Sequence, residues 1–229
     1  MSTNKPLFGK DQAENYDEQW SRLFPVNDLL HFLTKLILKG LPSDARVLCV
    51  GAGTGAELVA LAAEFPEWRF TAIDTSPEMI KACRRKAERA GFSDRCEFYS
   101  GTIGSFPEKG TFDAATSILV SQFLTEQDER TGFFAEIRKR LKPGGYLINA
   151  DLTSPDDGNS YQELLKVWKN MLIYAGTPKE KAEASASQWG KMVAVSKQHK
   201  IEEMISSAGF LAPTLFYQSL FIKAWFAKT

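Results

Sequence analysis

Apolar residues occur along this chain in short runs and in longer stretches with helical spacing. Short apolar runs bounded by turn residues are typical of buried strands, and apolar residues three and four positions apart are typical of helices. The predicted strands are 46–50, 69–73, 95–100, 111–118, 146–151, 213–218 and 219–227, and the predicted helices are 26–39, 57–65, 77–90, 126–141, 160–175, 178–195 and 200–207. Strands that alternate with helices in this way predict an α/β fold.

One segment interrupts the alternation of strands and helices. Residues 155–197 insert two predicted helices between the fifth and sixth strands. We expect this lid insertion to lie over the strand ends, where it would shape a ligand pocket and exclude water. The alternative is that the two helices only extend the core.

Length and composition narrow the class of protein. The 229 residues suffice for one sizeable α/β domain, and 28 basic and 28 acidic residues give a formal net charge of zero. Nucleic acid is therefore not an expected partner, although a local basic patch stays possible. The three cysteines, Cys49, Cys83 and Cys96, lack metal-site spacing and predict free thiols in a reducing compartment, with no metal site. No signal-peptide region or membrane-spanning apolar run occurs, so we expect a soluble, cytoplasmic protein.

A glycine-rich loop follows the first predicted strand. Gly51, Gly53 and Gly55 lie just before a predicted helix, an arrangement that brings a ligand against bare backbone at a helix N-terminus. Side chains there would obstruct the ligand or forbid the dihedrals of the turn. The second strand ends at Asp74, where an acid can accept hydrogen bonds from ribose hydroxyls. A dinucleotide-binding fold would show the same two features, so the loop alone does not identify the ligand.

The residues after the second strand also predict a helix start. Asp74, Thr75 and Ser76 precede Pro77, and proline suits the first position of a helix. Any of the three could therefore be an N-cap. We expect Asp74 to bind ribose and Ser76 to cap the helix.

Five segments together favour one family. VLCVGAGTGAE, FTAIDTSPEMI, CEFYSGTIGSFP, FDAATSILVSQFL and LKPGGYLINADL span residues 46–152, and their order and spacing resemble the class I S-adenosylmethionine-dependent methyltransferases. The resemblance implies a Rossmann-like methyltransferase fold: a mostly parallel seven-stranded sheet that ends in an antiparallel C-terminal hairpin. It also implies S-adenosylmethionine as methyl donor and S-adenosylhomocysteine as product. Across most of the chain, segments such as IDTSPEMIKACRRK and LKPGGYLIN are further similar to the bacterial tRNA-uridine carboxymethyltransferases.

The resemblance assigns candidate site residues. The cofactor-binding candidates are Tyr16, Gly51, Ala52, Gly53, Glu57, Asp74, Thr75, Met79, Gly101, Thr102, Ile103, Ser117 and Gln122. Tyr16 belongs to an N-terminal segment, residues 1–24, which would fold over the cofactor; alternatively, Tyr16 simply packs on the domain. Met79, Thr102 and Ile103 would lie near the adenine. The acceptor-binding candidates are Ser121, Phe123, Tyr161 and Trp168.

Three positions depart from the patterns of these families. Cys49 stands where an acid commonly organises the glycine loop and the methionine ammonium; cysteine cannot supply that charge, so we expect Glu57 to act instead. Ser117 stands where Asp or Asn is frequent. Met204 falls about where the carboxymethyltransferases have an arginine that holds a carboxylated cofactor, which favours ordinary S-adenosylmethionine here.

The sequence thus predicts methyl transfer to a small-molecule acceptor by a single domain, residues 1–229. Because the sulfonium methyl is already electrophilic, the protein's part is to align the reacting atoms and exclude water, and we assign no catalytic residue. His199, the only histidine near the lid insertion, is better explained as a solvated side chain. The alternatives are a tRNA-modifying methyl- or carboxymethyltransferase, a non-catalytic cofactor-binding module and a dehydrogenase. The acceptor and the oligomeric state, including a possible homodimer, stay open.

Overall fold

The structure, a computed structural model, describes residue 22 and residues 24–107 and 109–229. The strands are β1 (Arg46–Val50), β2 (Arg69–Asp74), β3 (Cys96–Ser100), β4 (Phe112–Ile118), β5 (Leu141–Ser154), β6 (Ser196–Lys197), β7 (Leu211–Ser219) and β8 (Ile222–Lys228). The helices are α1 (Phe24–Leu38), α2 (Ala56–Glu64), α3 (Pro77–Arg89), α4 (Gln127–Arg138), α5 (Gly158–Tyr174), α6 (Lys179–Ala184) and α7 (Gln198–Ser207). Tyr16 and most of the predicted cofactor-covering segment lie outside the described residues.

The described strands form one mixed sheet. Their order is β3-β2-β1-β4-β5-β8-β7, and the short β6 pairs with the end of β5. Strands β1 to β5 are parallel, whereas β8 runs antiparallel to both β5 and β7. The predicted fold is therefore confirmed, and only β6 was not predicted. Because β1 to β4 are parallel, the loops that follow them meet at one edge of the sheet.

The two faces of the sheet carry separate cores. Alternate residues of a strand point to opposite faces. Leu48 and Leu147 pack with α4 and α7 on one face, and Val47 and Ile148 pack with α1, α2 and α3 on the other. The sheet is covered by helices on both sides, as expected for parallel strands.

Strand β5 is longer than predicted. It begins at Leu141, and α4 already ends at Arg138. The register with β4 jumps from the pair Phe112–Leu141 to the pair Ala114–Tyr146, so residues 142–145 bulge out of the ladder. Pro143 has no N–H for the ladder and Gly144 has a φ of 76°. The LKPGG segment is therefore a bulge within β5, which begins five residues before the predicted start at 146.

The lid insertion shares a core with α1 and the C-terminal hairpin. Trp168 and Ala182 are buried together with Leu30 and Phe221. Leu119, directly after β4, packs against the same cluster. The insertion thus reaches the carboxyl end of β4, and its helices also extend the core.

The second helix of the insertion is shorter than predicted. Helix α6 ends at Ala184 and is followed by a 3₁₀ helix, Ser185–Gln188. The hydroxyl of Ser187 donates to the carbonyl of Ala184 at 2.6 Å, and Gly190 has a φ of 79°. The predicted helix 178–195 is wrong beyond residue 184, because the side chain of Ser187 competes for a backbone carbonyl and Gly190 adopts the left-handed conformation.

Of the helices in the described ranges, none is long and apolar enough to cross a membrane. The three cysteines are free thiols, as predicted.

Candidate active site

The glycine loop after β1 has the conformation that its composition predicts. Gly51, Gly53 and Gly55 have φ values of 69°, 53° and 85°. A Cβ on Gly51 would lie 2.4 Å from a methyl of Val120, and a Cβ on Gly55 would lie 2.6 Å from the sulfur of Cys83. A Cβ on Gly53 would meet no described atom within 4 Å. Gly51 and Gly55 therefore permit close packing, and Gly53 leaves bare backbone facing open space.

Asp74 joins the glycine loop to the turn after β2. Its Oδ2 accepts a hydrogen bond from the N–H of Gly53 at 2.9 Å, and its Oδ1 accepts one from the N–H of Ser76 at 2.8 Å. Burial raises the pKa of Asp74, and these two hydrogen bonds oppose that shift. Ser76 caps α3, as predicted, because its Oγ accepts from the N–H of Met79 at 3.3 Å.

Glu57 lies buried beneath the same loop. It belongs to the first turn of α2 and is 8% exposed. The hydroxyl of Thr116 donates to Glu57 Oε1 at 2.6 Å, and the thiol of Cys49 hydrogen-bonds to the same carboxyl. Burial raises the pKa of Glu57 to about 7, although both hydrogen bonds oppose the shift. The carboxyl of Glu57 thus lies beside Cys49, the position where the family commonly has an acid.

The turn after β3 is held close to β2. The N–H of Gly101 donates to the carbonyl of Asp74 at 2.9 Å. Thr102 is exposed and caps the short helix Ile103–Ser105, accepting from the N–H of Ser105 at 3.3 Å. Thr75 is also exposed, whereas Met79 and Ile103 are buried. The side chain of Ile103 belongs to the core, so its backbone is the part that faces the loops.

The turn after β4, residues 119–123, lies opposite Gly51. Ser117 is fully buried, and its hydroxyl has no hydrogen-bond partner among the described residues. Gln122 connects two segments: its Oε1 accepts from the N–H of Leu152 at 3.2 Å, and its carbonyl accepts from the N–H of Ala194 at 2.7 Å. We call residues 119–123 the floor turn, because they separate the glycine loop from the lid insertion.

Three aromatic side chains of the lid insertion form a cluster with Phe221 of the C-terminal hairpin. Tyr161, Trp168, Trp189 and Phe221 pack edge to face, with ring centroids 4.9–6.4 Å apart. Sequence reasoning named Tyr161 and Trp168 as acceptor-binding candidates but missed Trp189 and Phe221. Tyr161 and Trp168 each contact both Trp189 and Phe221. The remaining candidate, Phe123, is a partly exposed residue of the floor turn.

A buried polar cluster was also missed. Arg130 of α4 contacts Asp151 of β5 and the predicted acceptor-binding residue Ser121, all of them buried. Two signals in the sequence could have revealed it. Arg130 has the helical spacing of the buried residues Phe134 and Ile137, and Asp151 is a charged residue in a predicted buried strand.

Comparison with known proteins gives consistent matches. A family described as a methyltransferase domain matches residues 47–145. The carboxy-S-adenosyl-L-methionine synthase of Campylobacter hominis is 26% identical over 71% of this chain and 68% of its own. The sterol 4-C-methyltransferase of Caenorhabditis elegans is 27% identical over 79% of this chain, but the match spans only 53% of that protein. A solved SAM-dependent methyltransferase from Aquifex aeolicus has a TM-score of 0.65 at 19% identity, covering 96% of this chain and 98% of its own.

The strand order, the glycine loop and the matched domain define a Rossmann-like methyltransferase. The matched domain, the relatives and the solved structures support a class I S-adenosylmethionine-dependent methyltransferase, an enzyme whose cofactor is S-adenosylmethionine. The family resemblance inferred from the five sequence segments is confirmed.

Proposed function

We propose that this enzyme transfers the methyl group of S-adenosylmethionine to a small, largely apolar acceptor beneath the lid insertion. The aromatic cluster of Tyr161, Trp168, Trp189 and Phe221 is the observation that carries this proposal, because it belongs to the same core as Leu119 of the floor turn. Apolar and aromatic walls suit a small organic molecule and keep water from the reacting methyl. The C. elegans relative, which by its name acts on a sterol, supports an acceptor of this class.

The loops at the carboxyl edge of the sheet fit the cofactor. Gly53 leaves backbone open to a ligand, and Asp74 retains lone pairs on both carboxylate oxygens. We assign the ribose hydroxyls to Asp74 and the adenine to the turn that contains Gly101, Thr102 and Ile103. We also assign Thr75, which precedes α3, and Met79, in the first turn of α3, to the cofactor site.

Glu57 supports a site for the ammonium group of the cofactor. Within the described part of the chain, no basic side chain forms an ion pair with this buried carboxyl, and burial of an unpaired carboxylate is costly. The cofactor ammonium would supply the missing positive charge. Glu57 thereby replaces the acid that Cys49 does not provide.

The cofactor, when bound, supplies an electrophilic sulfonium methyl. The protein then has to hold the acceptor in line and exclude water, and we assign these tasks to the floor turn and the lid insertion. An amine, thiolate or carboxylate acceptor needs no general base from the protein. A hydroxyl acceptor would want one.

The balanced charge of the chain supports a small molecule over tRNA, since proteins that handle nucleic acid usually present a basic face. Free thiols support a reducing compartment such as the cytoplasm.

Calorimetric titration of the purified protein with S-adenosylmethionine, S-adenosylhomocysteine and NAD tests the cofactor site. We expect micromolar binding of the first two and none of NAD. Methyl-labelled S-adenosylmethionine then tests the acceptor class, with a panel of small apolar compounds compared against bulk tRNA. Label that partitions into an organic extract supports the proposal, and label that precipitates with tRNA contradicts it.

A further inference from the structure

The buried polar cluster between β5 and α4 has no role in the function proposed so far. Arg130 is 1% exposed, and its Nη2 lies 2.8 Å from Asp151 Oδ2. Arg130 also donates to Ser121 Oγ from Nε at 3.3 Å and from Nη2 at 3.0 Å. Ser121 in turn donates its hydroxyl proton to Asp151. One guanidinium group therefore fixes the hydroxyl of a residue in the floor turn.

The same guanidinium group also holds the end of the lid insertion. Its Nη1 donates to the hydroxyl of Ser196 at 2.8 Å. Ser196 begins β6, which pairs with the end of β5 where the insertion returns to the sheet. Close by, the N–H of Ala194 donates to the carbonyl of Gln122, which joins the end of the lid insertion directly to the floor turn. Arg130 thus has two arms, one to the floor turn through Ser121 and one to the lid exit through Ser196.

The floor turn has a backbone that its surroundings must hold in place. Leu119 has a φ of 58°, and a residue with a Cβ pays about 1–2 kcal/mol for the left-handed conformation. The next residue is Val120, whose methyl groups lie against Gly51. A shift of the turn would therefore move Val120 across the glycine loop.

Stability alone does not account for the cluster. Asp151 Oδ1 and the nearby Asn149 Oδ1 have no hydrogen-bond partner among the described residues. Burial raises the pKa of Asp151 despite the attraction of Arg130. A buried ion pair that is not fully hydrogen-bonded is seldom more stable than apolar residues of the same volume.

We propose that Arg130 is a positioning residue, which aligns the floor turn through Ser121 and the end of the lid insertion through Ser196, so that occupation of the cofactor site is communicated to the lid. This inference rests on the proposed function, because it takes the floor turn to be the boundary between cofactor and acceptor.

The test removes one arm at a time. Substitution of Arg130 itself would leave the buried Asp151 without a cationic partner and endanger folding. Ser121→Ala removes the arm to the floor turn, and Ser196→Ala removes the arm to the lid. Ser196→Thr keeps the hydroxyl and is the rescue variant. Thr131→Ala is the matched control, since it deletes a neighbouring hydroxyl on α4 that donates only to the carbonyl of Gln127 at 3.0 Å.

Two quantities are measured for each variant with S-adenosylhomocysteine as the probe. Calorimetry gives its dissociation constant, and amide hydrogen exchange gives the protection that it adds to residues 119–123 and 185–196. For Ser121→Ala we expect binding about tenfold weaker, in line with loss of hydrogen bonds to a charged group. For Ser196→Ala we expect affinity within about twofold of the wild type, with added protection lost from 185–196 only.

Ser196→Thr should restore the protection of residues 185–196, and Thr131→Ala should match the wild type in both measurements. Wild-type affinity in Ser121→Ala, or wild-type lid protection in Ser196→Ala, would overturn the positioning role while leaving the proposed function intact. A wild-type protein that binds no S-adenosylhomocysteine would overturn the proposed function and this inference with it.

Discussion

Asp74 contacts two loops at once and has capacity left for a ligand. Its carboxylate accepts from the backbone N–H groups of Gly53 and Ser76. Asp74→Ala removes both hydrogen bonds and the proposed ribose contact. We expect cofactor affinity to fall more than tenfold, since hydrogen bonds to a charged group contribute about 1.5–3 kcal/mol each. Calorimetry with S-adenosylhomocysteine measures the loss.

Asp94→Ala is the control for this prediction, because Asp94 precedes β3 at the opposite edge of the sheet. The Asp94→Ala protein should bind S-adenosylhomocysteine with the affinity of the wild type. An Asp74→Ala protein that still binds as tightly as the wild type would remove the ribose assignment.

Glu57 makes stability depend on pH. The pKa of its carboxyl is about 7 in the folded state, against an ordinary value of 4.5. Between these values the unfolded chain has released the proton while the folded protein keeps it. The free energy of unfolding therefore falls as pH rises from about 4.5 to 7, by about 3 kcal/mol at most.

Urea unfolding at pH 5 and pH 8, without cofactor, checks the role of Glu57. Glu57→Gln has no ionisable group at this site, so its free energy of unfolding should fall less over that interval than the wild type's, by about 2–3 kcal/mol. The difference between the two proteins cancels the other titrating groups, Asp74 and Asp151 among them. Parallel pH curves for both proteins would contradict the raised pKa.

At the scale of elements, two glycines of the glycine loop have different roles: Gly51 permits close packing, and Gly53 leaves backbone open to a ligand. In Gly51→Ala the new methyl would overlap Val120 and the backbone would be strained, so we expect a loss of about 2–4 kcal/mol in unfolding free energy. In Gly53→Ala only the left-handed backbone is strained, at about 1 kcal/mol, but affinity for S-adenosylhomocysteine should fall at least about tenfold.

Gly40→Ala is the control for both glycine variants, because a Cβ there meets no described atom within 4 Å and φ is not positive. Urea unfolding and calorimetry on the three variants separate the two effects. A Gly53→Ala protein with unchanged affinity would mean that the ligand does not approach this backbone.

The lid insertion depends on its aromatic cluster. Trp168 lies 6.0 Å from Trp189 and 5.8 Å from Phe221, measured between ring centroids, and it is buried. Trp168→Ala should cost about 3–5 kcal/mol of unfolding free energy, the usual range for a large buried side chain. Val167→Ala, at an exposed position of the same helix, should cost less than about 0.5 kcal/mol. Similar losses in both variants would show that the cluster does not hold the lid.

At the scale of the whole molecule, the periodic pattern of apolar residues predicted the strands and helices and their order. Each apolar run that was predicted to be a strand is a strand of the sheet. The glycine loop follows β1, Asp74 ends β2 and Ser76 caps α3, as the sequence predicted. Periodicity and turn residues are local signals, so they predict these elements without knowledge of the tertiary contacts. The roles of the individual cofactor-binding and acceptor-binding residues, and the division into one domain with a lid, stay predictions.

Tertiary contacts decided the features that the sequence did not reveal. The LKPGG segment has the proline and glycines of a turn, but the pairing of Leu141 with Phe112 of β4 makes it part of β5. Arginine is usually a surface residue, and only the fold brings Arg130 into contact with Asp151. The hydroxyl of Ser187 bonds to the carbonyl of Ala184 at the end of α6, and helical spacing does not register this local hydrogen bond.

The position of β8 has a consequence for how the chain folds. Residues 222–228 form a strand inside the sheet, between β5 and β7, although they follow β5 by a long stretch of sequence. During synthesis, the backbone edge of β5 that pairs with β8 therefore stays unpaired until residues 222–228 have left the ribosome. Non-local pairing of this kind slows folding, and an open strand edge invites association with other chains. We therefore expect the nascent enzyme to be most prone to aggregation in that interval, when the residues of its cofactor loops have already been synthesised.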